Sequence, residues 1–173
     1  MIVAGIDPSL TQTAVVIGSG PQDFKVFGHR SKPIGDSAGD RVKRYDRLVS
    51  EIMETISANK PDRIFIEGYA FGAKMAREVL GEFGGILRWH LIEVDPLLCE
   101  VSPLGLKKFV TGKGAGQKEQ MMLSVFRNWG YEPRGNDDAD AYGLWRLGLC
   151  VCGLDEPKNL AQREVIVKVR GVP

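Results

Sequence analysis

Two short apolar runs in this chain each end on an acid that is followed at once by a backbone breaker: Ile2-Val3-Ala4-Gly5-Ile6 runs into Asp7-Pro8, and Ile64-Phe65-Ile66 runs into Glu67-Gly68. Runs of this length bounded by turn formers have the pattern of strands buried on both faces. Each such strand carries one carboxylate to its carboxyl end. In open α/β sheets, ligands are handled in the crevice beyond the carboxyl ends of parallel strands. If the two strands lie side by side and parallel, Asp7 and Glu67 meet there.

A third acidic stretch, Asn136-Asp137-Asp138-Ala139-Asp140, follows a loop containing Gly and Pro and opens the last long helix. Asp137 and Asp140, three apart, share one helix face with Cβ atoms about 5–6 Å apart. Docking that face over the same sheet edge gathers four carboxylates. Like charges about 4 Å apart repel by about 4 kcal/mol per pair at an effective dielectric near 20, so such a cluster holds protons or divalent cations. A cation site is the economical reading, and an all-carboxylate set without histidine or cysteine suits magnesium. Taken singly, the acids have ordinary readings as well: Asp7 before Pro8 can start a turn, and acids in a first helical turn complement the macrodipole.

Along the rest of the chain, residues 2–6, 13–17 and 24–28 read as three strands joined by tight turns, the second turn being Gly18-Ser19-Gly20-Pro21, which predicts an antiparallel meander. Val42, Tyr45, Leu48, Val49, Ile52, Met53 and Ile56 recur at helical intervals over 41–59, and Pro61 ends that helix before a fourth strand over 63–67. A second helical region, 72–92, carries Leu80, Phe83, Ile86, Leu87 and Leu91 but is interrupted by Gly81, Gly84 and Gly85. It is either one helix closely packed against another element, a second subunit included, or two short helices. A fifth strand over 99–101, a helical turn over 104–109 and helices over 117–129 and 137–152 complete an α/β domain, residues 1–153. The tail, 154–173, reads as a polar linker followed by an added edge strand over 165–169, or as disorder.

Length and composition suit one soluble domain: 173 residues, 43% hydrophobic and 26% charged. No apolar run approaches the roughly 18 residues of a membrane span, and the amino terminus enters a strand without a basic, signal-like region, so a cytoplasmic protein with no membrane partner is expected. Cys99, Cys150 and Cys152 are odd in number and support neither a disulfide framework nor a zinc knuckle. The net charge of +1 is uninformative, but its distribution is not. Lys107, Lys108, Lys113, Lys118, Arg127 and Arg134 face only Glu119 and Glu132 between residues 101 and 135, and a second basic run, Arg41, Lys43, Arg44 and Arg47, lies near the start of the first helix. The loop Gly112-Lys113-Gly114-Ala115-Gly116 matches neither nucleotide-binding glycine pattern. Lysines around a glycine-rich loop suit a phosphodiester backbone, to which they offer charge without reading sequence; a solvated basic loop is the plain alternative. Tyr69 and Phe71, just beyond Glu67, can stack on an unpaired base or fill the core, while His29 and His90 stand isolated.

These residues resemble the RuvC-type Holliday junction resolvases of the RNase H-like superfamily. Gly5-Ile6-Asp7-Pro8-Ser9 looks like that family's first-strand motif and Ile66-Glu67 like its fourth-strand acid. Ser102-Pro103 through Gly112-Lys113-Gly114 to Lys118 is similar to its Pro-x-x-x-Lys-x-x-x-x-Gly-x-Gly segment, and Asp137-Asp138-Ala139-Asp140-Ala141 resembles its acidic helix start. The resemblance covers residues 1 to about 150. It implies an RNase H-like fold whose five-stranded mixed sheet, an antiparallel three-strand meander plus two parallel strands, is flanked by helices.

The resemblance also implies Asp7, Glu67, Asp137 and Asp140 as ligands of two Mg2+ ions, for which Mn2+ substitutes, and Lys107 and Lys118 as DNA-contacting or catalysis-supporting lysines. Asp138 falls outside the three-apart spacing and is expected as a neighbour. The expected protein is a homodimer that nicks branched DNA, four-way junctions above all, in pairs and leaves 5′-phosphate and 3′-hydroxyl ends, with Lys118 countering charge on the phosphate. Lys107, Lys108, Lys113, Tyr69 and Phe71 are the expected DNA contacts. The Gly-rich second helical region and the ambiguous aromatic beyond Glu67 depart from the pattern in a way that resembles phage-encoded members. With those departures, a partnership with branch-migration proteins is not expected. A related nuclease acting on structured RNA, a non-catalytic junction-binding protein and an ATPase related to sugar kinases are the rival readings. The intact acids disfavour the binding protein, and the missing nucleotide loop disfavours the ATPase.

Overall fold

The computed structural model describes residues 1–69, 77–95, 97–113 and 118–170, with the side chains at 77, 78, 118 and 119 outside the description. Five strands form one mixed sheet in the order β3-β2-β1-β4-β5: β1 (Val3–Asp7), β2 (Gln12–Gly20), β3 (Asp23–Arg30), β4 (Arg63–Glu67) and β5 (Cys99–Val101). The first three strands pair antiparallel, whereas β4 pairs parallel with both β1 and β5. The expected meander plus two parallel strands is therefore the observed sheet. β2 and β3 are longer than the apolar pattern predicts, because Gly18 to Gly20 stay paired with Phe24 and Asp23 across a bulge and leave only Pro21 and Gln22 as the turn.

Side-chain alternation along a strand divides the core into two layers. Ala4, Ile6, Ile64 and Ile66 pack against Tyr45, Leu48, Val49, Ile52 and Ile56 of helix α1 (Ala38–Asn59) and against Phe83, Leu87 and Leu91 of α2 (Arg77–Val94). Val3, Phe65 and Val101 face the other way, toward α3 (Pro103–Thr111), α4 (Lys118–Trp129) and α5 (Asn136–Val151). By the same parity Asp7 and Glu67 belong to the α5 side of the sheet.

α1 starts three residues before the apolar stripe, because the Ser37 hydroxyl accepts the Asp40 amide at 3.1 Å and caps the helix. It ends at Lys60, whose left-handed backbone returns its N–H to Ile56 O. α2 runs unbroken through Gly81, Gly84 and Gly85, as expected for one closely packed helix; positions 72–76 of the expected region lie outside the described residues.

The tail corrects the sequence reading. Leu160–Arg170 is a sixth helix, α6, and not an edge strand. Its β-branched residues suggest a strand, but Gln162, Val165 and Ile166 recur at helical spacing and are buried, and Val169 packs on the same core. Gln162 Nε2 donates to Phe109 O of α3, and Arg146 of α5 pairs with Asp155 at 2.5 Å to hold the preceding segment. Among the described residues no helix is long and apolar enough to cross a membrane.

Candidate active site

The β1–β4 register pairs Ile6 with Ile66, and one further residue along each strand sets Asp7 beside Glu67. α5 approaches this edge closely because β1 has a glycine where the helix crosses it: a Cβ on Gly5 would lie 2.5 Å from Ala141 O and closer still to Trp145 N. One turn back along α5 from Ala141, Asp137 and Asp140 reach the same edge. Asp7, Glu67, Asp137 and Asp140 line one cleft of about 290 Å³ together with Ser9, Lys107, Asn136 and Met121.

Asp7 is only 6% exposed. Its carboxyl is pushed well above the usual carboxylate range, first by burial and then by the negative fields of Glu67, Asp140 and Asp137 and a hydrogen bond with the Glu67 carboxyl. Among the described residues no three acids, histidines or cysteines close on a common point tightly enough to grip an ion; the four acids line the cleft walls. The donor set is all oxygen, and among the described residues the basic side chain on the cleft wall is Lys107.

Local chemistry explains the frame. Ser9 sits in a turn tied by Thr13, whose hydroxyl donates to Ser9 O at 2.8 Å and accepts the Ser9 amide at 3.2 Å. α3, which carries Lys107, is capped by the Ser102 hydroxyl, begins with Pro103 and ends on Gly112 at φ 79°. Thr111 then donates to Lys107 O and receives the Lys113 amide, which fixes where the exposed Lys113 leaves the helix. Lys108 is not in the cleft: its ammonium pairs with Glu164 of α6. Phe71 and the Lys118 side chain lie outside the described residues. Asp138 is buried, with its carboxylate accepting the Arg134 amide at 3.3 Å, so it staples the loop before α5, as its position outside the three-apart spacing suggests.

One residue escaped the sequence reading. Arg88 of α2, 11% exposed, donates from Nη2 to Glu67 O at 2.8 Å and from Nη1 to Gly84 O at 3.1 Å, pairs with Glu100, and lies over the Tyr69 ring at 4.3 Å. The Tyr69 hydroxyl meets Gly81 O at 3.4 Å, and a Cβ on Gly84 would come within 2.8 Å of it. Gly84 thus makes room for a tyrosine and an arginine, the latter bracing the Glu67 main chain. Tyr69 remains 40% exposed. The sequence signal was the glycine spacing itself, Gly81 and Gly84 on one helix face, with an arginine one turn on.

The sequence profile of the family described as crossover junction endodeoxyribonuclease RuvC matches residues 3–145. The chain is similar to the protein of that name from Chlorobaculum parvum, 31% identical over 166 residues that cover 92% of this chain and 84% of that one. It is also similar to the one from Ruegeria pomeroyi, 30% identical over 169 residues covering 95% and 99%. Among solved structures it resembles Thermus thermophilus RuvC at a TM-score of 0.68 and 21% identity, covering 91% of this chain and 99% of that one. The same protein in complex with a Holliday junction substrate aligns at a TM-score of 0.66, 21% identity, covering 84% and 90%.

Proposed function

The chain belongs to the RuvC family of crossover junction endodeoxyribonucleases, and from that premise we propose that it resolves four-way DNA junctions by metal-dependent hydrolysis, leaving 5′-phosphate and 3′-hydroxyl ends. The observation that carries this reading is the cleft lined by Asp7, Glu67, Asp137 and Asp140, with an Asp7 carboxyl that burial first and then those neighbours hold toward its protonated form. Such a cluster is relieved by divalent cations, and its oxygen donors fit Mg2+ or Mn2+.

In this proposal Asp7, from the central strand, would hold the cations together with Glu67, Asp137 and Asp140. When bound, the ions supply Lewis acidity toward the phosphate oxygens and a more acidic water. Lys107 holds the scissile phosphate at the cleft wall through charge, and Lys118 opposes charge that develops on it. Tyr69, braced by Arg88, offers a half-exposed ring to an unpaired base at the crossover. Residues 1–153 form the nuclease unit, with α6 bracing it. Paired nicks call for two sites, and a two-fold homodimer supplies them. The face of α2 that exposes Trp89, 71% accessible, together with Ile92 is the surface such a dimer would cover.

The test is cleavage of a synthetic four-way junction beside its linear duplex and a structured RNA, with Mg2+ or EDTA, by the parent and by Asp7→Asn. Paired nicks on the junction alone, lost in EDTA and in the variant, are expected. Equal cutting of every substrate would refute junction selectivity, and tight junction binding without any cleavage would refute the nuclease assignment.

A further inference from the structure

A second basic feature lies away from the acidic cleft. Arg30 at the end of β3, Lys32 just beyond it, and Arg44 and Arg47 on α1 line a groove of about 380 Å³ in which Glu51 is the one acidic lining residue. The groove is built, not incidental. Arg44 donates from Nη2 to Leu10 O at 2.6 Å and to Ser31 O at 3.3 Å, and from Nε to the Ser31 hydroxyl at 2.9 Å; that hydroxyl in turn donates to Leu10 O. These bonds tie the segment after β3 to α1 and to the β1–β2 turn. Arg30 is anchored through Nε to Gln12 at 2.8 Å, and Arg47 through Nε to Glu51 at 3.1 Å while staying 79% exposed. Lys32 is exposed.

The sheet fixes where this groove stands relative to the four acids. Asp7 pairs with Ala14, and Gln12 pairs with Arg30, so Arg30 sits at the same sheet edge as Asp7. It is two strands across and two residues further out. With strands about 4.8 Å apart and a rise of about 3.4 Å per residue, the two Cα atoms are about 12 Å apart. Arg44 and Arg47 on α1 stand on the face of the sheet opposite the acids, so an arm leaving the cleft meets the groove by passing over the carboxyl end of β1 toward β3.

We propose that this groove binds the phosphodiester backbone of a junction arm that leaves the acidic cleft over the end of the sheet, through Arg30, Lys32 and Arg47, with Arg44 as the residue that positions them. The inference rests on the nuclease reading and deepens it. These residues grip the arm by charge and leave base sequence unread.

The experiment measures junction binding as a function of salt, with calcium in place of magnesium, for the parent and for Arg30→Gln/Lys32→Gln/Arg47→Gln; melting temperature serves as the check on folding. For every phosphate that the variant no longer neutralises, the log–log salt slope should become shallower by about 0.9. Neutral methylphosphonates stepped along the arm outward from the cut should weaken binding by the parent at one stretch, and at that stretch the triple variant should bind the modified junction no differently from the unmodified one. An unchanged slope in a folded variant, or a methylphosphonate penalty equal in both proteins, would overturn the proposal. So would displacement of a polyglutamate probe by the substitutions with no change in junction binding, which would assign the groove to an acidic protein. A parent that neither binds nor cuts junctions would instead sink the nuclease reading, and the groove assignment with it.

Discussion

Replacing Asp7 by Asn should make the metal-free protein more stable. Asp7 is buried, hydrogen-bonds the Glu67 carboxyl and feels two further acids. Two full charges about 4 Å apart at an effective dielectric near 20 would repel by about 4 kcal/mol, and a proton shared between Asp7 and Glu67 relieves much of that. What is left falls in the range of about 1–3 kcal/mol for a buried polar group with an unmet requirement. At about 2–4 °C per kcal/mol for a chain of this size, the Asn variant should melt about 2–12 °C above the parent in EDTA at pH 7.5. The sign of the pH dependence follows from the raised carboxyl. The native state binds the proton more firmly than the unfolded chain, so the parent loses stability as pH climbs from the unfolded aspartate value near 3.9 through the native one, and the loss is complete above that. The two melting curves should therefore converge toward acid. Saturating Mg2+ should raise the parent more than the variant. Differential scanning fluorimetry across pH 4–8, with EDTA and with Mg2+, reads all three effects. A folded Asn variant melting at or below the parent in EDTA at pH 7.5 would refute the electrostatic account, because Asp7 would then be making a net favourable contact.

Arg88→Met should keep the fold yet slow junction cleavage at saturating Mg2+ by about ten-fold or more, a loss of roughly 1.4 kcal/mol, and should reduce quenching of a 2-aminopurine placed at the crossover; unchanged rate and fluorescence would leave Arg88 a packing residue. Lys107→Ala should make the salt slope of junction binding shallower by about 0.9, and an identical slope would remove it from the phosphate contacts. Asp155→Ala strands the buried guanidinium of Arg146 and should cost about 3–5 kcal/mol, seen as a lower urea midpoint, whereas Arg146→Met combined with Asp155→Leu should recover most of it. Recovery absent in the double variant would mean that Asp155 acts through its loop and not through the ion pair.

Much of the sheet was legible because burial on both faces leaves a plain signal: Ile2 to Ile6 and Ile64 to Ile66 could only be central strands, and their parity sends Asp7 and Glu67 to one side. The three-apart acids of α5 were legible for the same reason, since one helix face holds both. Lys108 was misleading next to Lys107, because neighbours on a helix point about 100° apart and only a tertiary partner, here Glu164, decides which one meets the cleft. The strand reading of 165–169 failed because β-branched content outweighed a helical stripe whose partners on α3 and α5 lie far away in sequence. Arg88 had no local signature beyond the glycines before it on α2; its role exists only once β4, α2 and β5 are assembled.

The bare backbone of Gly5 also sets a distance. Because α5 rests on it through main-chain atoms with no side chain between, the separation between the strand acids and the helix acids is set by a spacer of zero thickness. A methyl there would act as a shim, lifting the acidic end of α5 and widening the cation seat. In the proposed cation site Gly5 would thus act as a gauge block for ion size, and a Gly5→Ala protein that still folds would be the place to look for a preference moved from magnesium toward the larger calcium or manganese ion.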